Sequence, residues 1–355
     1  MSELSSITIQ NFRSYDEAAF EFTNGVNIII GPNAAGKTNL LEAVYIAATG
    51  KGFRSRSDSV VIKNGQEIAR IEASFGKQNR KILFDVSGGR LKKTFQTKDQ
   101  KKSRLSFEDI QPVVLFQPDD LRLANGSPER RRLFIDLLLS QLNPTYASEL
   151  RAYERALSQR NALLKSTHTP SSDHLFVWNV QIADRGGKIA TMRQEMIKKI
   201  QSEISAIYSE VAGSKHHLDI TYQTELNKSH YSDSLMKKLH EHISDDRRRG
   251  STSFGPHRDD ILFVIDEQPM KQVASRGENR TLLLALKIIE VNQLQSVRRK
   301  MPLLLLDDVF SELDGSRRRL LTSFLKDYQT LITTTDADVV GKEFAKRANI
   351  LSIAS

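Results

Sequence analysis

The residues Gly31-Pro32-Asn33-Ala34-Ala35-Gly36-Lys37-Thr38 have the spacing G-x-x-x-x-G-K-[ST], and the chemistry such a run can do is phosphate binding. Small residues let backbone N–H groups close around phosphate oxygens. The lysine of the motif reaches the β- and γ-phosphates, and the threonine hydroxyl faces a magnesium ion. The expected ligands are ATP and Mg²⁺, with Asn39 opening the helix whose first N–H groups share the task.

About 265 residues downstream, Pro302 is followed by four leucines and then by Asp307 and Asp308. Four apolar residues in a row read as a buried parallel strand, and open α/β sheets place ligands at the carboxyl ends of such strands. Asp307 is the expected Mg²⁺ partner of Thr38. Asp308 is the expected group that orients or deprotonates the attacking water. A third element, Ala274-Ser275-Arg276-Gly277-Glu278-Asn279-Arg280, opens an apolar helix and makes a second anion-binding end. Its plain alternative is an ordinary N-cap. One triphosphate needs one such end, so the economical account is a head-to-tail homodimer in which Ser275 and Gly277 of each copy cover the nucleotide of the other.

These motifs need a strand before the first loop, supplied by Val26-Asn27-Ile28-Ile29-Ile30, and a helix after it, supplied by Asn39 to Ile46. Residues 66 to 97 alternate in three runs separated by glycine-containing turns, which predicts an antiparallel meander. From Pro128 to about Arg249 the period turns helical, with a strand expected at Leu218 to Tyr222. The fold class is α/β, with segments expected at 1–127 (first part of the ATPase lobe), 128–250 (mainly helical second lobe) and 251–355 (remainder of the ATPase lobe).

Six segments together resemble the RecF family of bacterial recombination mediators, ABC-type ATPases related to Rad50 and SMC heads. They are Ile9 to Tyr15; Gly31 to Thr38; Phe116 to Leu121 with Gly126 to Arg132; Phe254-Gly-Pro-His-Arg-Asp-Asp260; Ala274 to Arg280; and Leu303 to Asp314. The Phe254 run is the most specific to that family. The resemblance implies an ABC-type head with a helical second lobe and no long coiled coil. It gives Gln117 the place of the loop glutamine that senses Mg²⁺ and γ-phosphate, and Arg13 that of a basic residue near the nucleotide. It also implies weak ATP hydrolysis used as a switch, double-stranded or gapped DNA as partner, and RecR, RecO and indirectly RecA as associates in recombinational repair and the SOS response. Three departures stand out. Asp308 replaces the usual Glu, which implies slow hydrolysis. No switch histidine occurs in Leu331 to Asp336, leaving a threonine hydroxyl for any contact there. Arg276 stands where Gln is usual.

Composition agrees with a DNA partner in the cytoplasm. The formal net charge is +9 and the isoelectric point about 9.5. There is no cysteine, hence no disulfide framework, and no stretch approaches the ~20 apolar residues of a membrane span. Lys51, Arg54 and Arg56, spaced by small residues and Phe53, form the favoured DNA-binding segment, with Arg298 to Lys300 next. Arg130 to Arg132 are expected to cap or pair within the helical lobe, and the eight histidines to be structural. The alternatives are a nucleotide-binding subunit of an ABC transporter and a DNA-binding module with a vestigial nucleotide site.

Overall fold

The computed structural model describes residues 3–55, 58–97, 100–166, 172–335, 344 and 348–353. Two compact units result, one of Met1–Leu121 with Glu290–Ser355 and one of Arg122–Ile289.

In the first unit a five-stranded, all-parallel sheet has the order Asn349–Ser352, Val26–Ile30, Thr330–Thr334, Leu303–Asp307, Val113–Phe116. Its inner strands are near-continuous Val, Ile, Leu and Thr because both of their faces are covered. A six-stranded antiparallel sheet has the order Tyr15–Glu21, Leu4–Phe12, Ile68–Phe75, Gln78–Asp85, Lys92–Thr97, Gln100–Lys102. Its strands alternate, with Ala69, Ile71, Ala73 and Phe75 turned inward from one of them and Ile82 and Phe84 from the next. The expected meander is the middle of this sheet. The helix Lys37–Thr49 packs against both sheets and is buried from Leu40 to Ala48 without a polar stripe. Arg80 reaches this core from the antiparallel sheet and donates to the carbonyls of Ala47, Ala48 and Asp109 near the C-terminal end of that helix.

The second unit contains the helices Pro128–Leu142, Pro144–Leu164, Ser172–Ala212, Tyr231–Glu241 and Ile243–Arg249. Proline sits at the start of the first two, where a missing N–H costs nothing, and the Asn143 side chain caps the second by accepting from Thr145 and Tyr146. One helix of 41 residues is long, but its neighbours have 21 and 11, so no long antiparallel coiled coil forms among the described residues. The expected strand at Leu218 is observed at Leu218–Gln223. It pairs with Asp260–Ile265, which in turn pairs with Gln268–Pro269. This pairing explains why the second unit extends to residue 289, whereas the sequence expectation ended it at 250: the Phe254 to Asp260 run and the Ser275 loop belong to it.

The Phe254 to Asp260 run is a polar knot centred on the buried Asp259. Asp259 accepts from the hydroxyls of Tyr222 and Tyr231, and burial lifts its carboxyl above the usual range. Asp260 pairs with Arg131 through two bonds of 2.8 Å, and Arg132 donates to the Asp259 carbonyl, so Arg131 and Arg132 do pair within this unit. His257 lies between Tyr153 and the Thr252 carbonyl, and burial pushes its imidazole down to about 4. Gly255 has φ 128° and stands so close to the Tyr153 hydroxyl that a Cβ would be 2.6 Å from it.

Candidate nucleotide site

The loop Gly31 to Thr38 leaves the carboxyl end of Val26–Ile30 and runs into Lys37–Thr49. Gly31 lies under the Ile353 carbonyl, 2.7 Å from where a Cβ would sit. Gly36 adopts φ 99° and is overlaid by Ser14 and Tyr15, with the Tyr15 hydroxyl donating to its carbonyl at 3.0 Å. Both glycines are therefore required by space or backbone. Pro32, Asn33 and Ala34 are exposed, Ala34 at φ 67°, and Ala35 is half-buried. The Lys37 ammonium donates to the carbonyls of Gly31 and Pro32 at 2.7 and 2.8 Å, lying along the inside of the loop.

Thr38 and Asp307, 269 positions apart, meet directly: the hydroxyl lies 2.8 Å from Oδ1 and 3.0 Å from Oδ2. Thr333, on the neighbouring strand, donates to the same Oδ1 at 2.9 Å. Its hydroxyl also accepts from the Asp308 N–H at 3.0 Å. Asp308 has φ 51°, a left-handed conformation uncommon for a non-glycine residue, though aspartate adopts it more readily than most. Burial raises its carboxyl above the usual range and the Asp307 charge adds to this, while the Lys37 ammonium opposes it. Thr333, one of the threonines between Leu331 and Asp336, thus holds the Asp307 carboxylate and the Asp308 backbone.

Gln117 follows Val113–Phe116, whose Phe116 pairs with Leu306, so Gln117 and Asp307 lie at the same end of adjacent strands. The Gln117 N–H is held by Asp120 at 3.0 Å. Arg13 is brought to the helix after the loop. Its Nε and one terminal nitrogen donate to the two carboxylate oxygens of Glu42 at 2.9 and 3.0 Å, and the other terminal nitrogen to the Val60 carbonyl. Asn39 is held at both ends of its amide, donating to Ser14 Oγ at 2.9 Å and accepting from Arg54 at 2.7 Å. Ser14, Tyr15 and Glu42 are the residues that sequence reasoning missed. The available signal was Glu42 itself, a lone carboxylate within the apolar stretch Leu40 to Ala48.

Ser275 and Gly277 lie in the second unit. The Ser275 N–H donates to Glu278 at 2.6 Å and the Glu278 N–H donates back to Ser275 Oγ at 3.2 Å, a reciprocal capping box at the start of Arg276–Arg298. The plain N-cap reading therefore describes this end as it stands. Asn279 further ties the loop by donating to the Ser275 carbonyl at 2.8 Å. Among the basic clusters, Lys51 is exposed, Arg54 is turned toward Asn39, and Arg56 lies outside the described residues. Arg298 donates to the Phe107 and Ile110 carbonyls, and Lys300 to that of Glu108.

The RecF/RecN/SMC N terminal domain family model matches residues 3–351. The DNA replication and repair protein RecF of Streptococcus suis strain 05ZYH33 is 35% identical over 346 residues, covering 96% of this chain and 94% of that protein. The RecF of Bacillus cereus strain B4264 is 34% identical over 365 residues, covering 99% and 97%. A solved structure of the recombination mediator RecF with ATP, from the RecFOR pathway, superposes with a TM-score of 0.82 at 29% identity, covering 94% of this chain and 92% of that one. An Smc head domain from Pyrococcus furiosus, at a TM-score of 0.50 and 15% identity, shares the ABC-type fold. A full-length family match and relatives above 30% identity over nearly the whole chain have one meaning: the chain belongs to the RecF/RecN/SMC family and, within it, to the RecF proteins.

Proposed function

We propose that this chain is a slow ATPase that uses ATP and Mg²⁺ to close a homodimer on DNA during recombinational repair. The observation that carries the reading is the meeting of Thr38 and Asp307 at the carboxyl end of a parallel sheet, beside the phosphate-type loop. Magnesium takes oxygen ligands in an octahedron and is usually bound through one or two protein oxygens together with nucleotide phosphates. A hydroxyl and a carboxylate within 3.0 Å of each other fit that requirement, with Gln117 at the same sheet end. When bound, the ion neutralises charge on the β- and γ-phosphates. Gly31 to Thr38 and Asn39 cradle the phosphate chain, and Lys37 swings from the loop carbonyls to the phosphates. Asp308, fixed by Thr333, orients the attacking water. Its short side chain makes turnover slow.

Ser275 and Gly277 are proposed to close over the nucleotide of a second copy, and Lys51, Arg54 and Arg56 to face DNA phosphates. RecR, RecO and indirectly RecA are the associates that the relatives' place in the RecFOR pathway supports. A cytoplasmic location fits a DNA partner, and no helix among the described residues is long and apolar enough to cross a membrane.

The test combines light scattering after size exclusion with ATP hydrolysis, each with and without a gapped duplex. Dimerisation by ATP and faster hydrolysis with DNA are expected. Hydrolysis indifferent to DNA would favour a transporter-type subunit, and no hydrolysis at all would favour a binding module with a vestigial site.

A further inference from the structure

The antiparallel sheet of the first unit ends at the strand Tyr15–Glu21, which pairs with Leu4–Phe12 on one side and has no strand on the other. The Phe22 N–H donates to the Ser5 carbonyl at 2.9 Å and the ladder alternates from there, so Ala18 and Phe20 turn their backbone groups toward Leu4–Phe12. Glu17, Ala19 and Glu21 therefore turn theirs outward. The side-chain amide of Asn349 bears out this direction by donating to the Glu21 carbonyl at 3.2 Å, and it closes that end of the edge. The N–H and C=O groups of Glu17 and Ala19 and the N–H of Glu21 have no partner among the described residues.

The two faces of this edge differ in chemistry. Glu17, Ala19 and Glu21 stand exposed on the outer face, and neither carboxylate is ion-paired among the described residues, in a chain whose formal net charge is +9. The two carboxylates lie four positions apart, about 14 Å along the strand. On the inner face Tyr15 and Phe20 meet edge-on at 6.1 Å and pack against the core while staying half-buried. Charged side chains on an edge commonly repel other strands, but these repel only acidic ones. Ala19 between them leaves the middle of the open ladder uncovered.

We infer that residues 17–21 are a docking edge for an extended basic segment of a partner protein, added to this six-stranded sheet as one more strand. Two lysines or arginines four positions apart face Glu17 and Glu21, and apolar residues on the other face of the segment cover Phe20. Main-chain hydrogen bonds supply affinity and the carboxylates select the sign of the partner. A second copy fits less well. The same edge met across a two-fold axis sets Glu17 and Glu21 against like charges, and the opposite edge strand, Gln100–Lys102, offers only three residues.

The probes are the capped peptide Thr-Lys-Val-Thr-Val-Lys-Thr and its counterpart with glutamate in place of lysine, each titrated into the full chain at low salt. The readouts are Kd from fluorescence anisotropy, exchange of the amide hydrogens of residues 17–21, and thermal melting. The lysine peptide should bind and protect the Ala19 N–H, and the glutamate peptide should do neither. Replacing Glu17→Gln and Glu21→Gln together keeps the shape and should weaken the lysine peptide by roughly two- to tenfold, the worth of two cross-strand charge pairs, with an unshifted melting curve. Ala19→Pro removes the central outward N–H at an edge position that tolerates proline, and should abolish binding. No binding by the lysine peptide, equal binding by the glutamate peptide, or an unchanged Kd in these variants overturns the inference. If Ala19→Pro melts early, protection of the Ala19 N–H in the parent and the Kd of the doubly substituted Gln variant decide the matter. Concentration-dependent self-association of the parent that Ala19→Pro removes would give the edge to a second copy and overturn the inference as well.

Discussion

The helix Lys37–Thr49 starts from Gly36 with no side chain bonded back to its first turn and no acidic residue in that turn. The helix Arg276–Arg298 starts from Ser275 with the Glu278 carboxylate already on the Ser275 N–H at 2.6 Å. Both are N-terminal ends of the kind that attract anions, but the first keeps its N–H groups for an outside ligand and the second is satisfied by its own chain. On the function proposed above, affinity for a phosphate chain belongs to the first end, and the second closes over a ligand that is already held.

Lys37→Ala should have the largest effect, abolishing triphosphate binding and ATP-dependent dimerisation together, as read by calorimetry and light scattering. If that variant still dimerised with ATP, the first end would not be the seat of affinity. Asp308→Asn comes next. It should retain ATP and the closed dimer while hydrolysis falls by roughly 100-fold or more, the usual worth of a positioned acid–base group. A parental rate in this variant would remove Asp308 from the water-orienting role.

Ser275→Arg sharpens the contrast, because it should leave ATP affinity of the monomer within about twofold of the parent. Dimerisation should be blocked by the bulk and charge placed at the second end. Mixing Ser275→Arg with Lys37→Ala chains should restore one working site, and full dimerisation of Ser275→Arg alone would end the head-to-tail arrangement. A smaller effect is expected for Glu278→Gln, which weakens the capping box by about 0.5–1 kcal/mol. The loss is checked by denaturant melting, and a loss of ATP binding there would show that the two ends are not separable. Smallest is the joint replacement of Lys51, Arg54 and Arg56 by Ala, read in the DNA salt titration. Each lost phosphate contact should lower the log–log slope by roughly 0.9, equally for unrelated sequences. An unchanged slope would move the DNA surface to another cluster.

The two ends also differ in how far the sequence reveals them. The loop glycines, Lys37, Thr38 and the leucine strand ending in Asp307 were legible because their signals are local: fixed spacing, β-branched runs and a change of period. The same holds for the 66–97 meander and the helices after Pro128. What escaped are partnerships between distant positions. Nothing near Thr333 says that its hydroxyl reaches Asp307, and nothing near Asn39 says that Arg54 and Ser14 take its two amide ends. The Asp260–Ile265 strand was missed as the partner of Leu218–Gln223 because its acidic, polar lead-in reads as a motif rather than as the start of a strand. The capping box was visible as Ser275 and Glu278, yet its spacing alone does not say whether the serine's bonds turn inward.

The strand under the first loop, Val26–Ile30, has as its two neighbours Thr330–Thr334 and Asn349–Ser352, both more than 300 residues later in the chain. A ribosome adding ~5–20 residues per second makes this strand early and leaves it without either neighbour for on the order of tens of seconds. During that time a nascent apolar edge must be shielded from others of its kind. A messenger that breaks off before the codon for Thr330 yields a product with the whole glycine-lysine loop on a strand that lacks both of its sheet neighbours. The strand that carries the loop therefore gains both of its sheet neighbours only after residue 349 has been made.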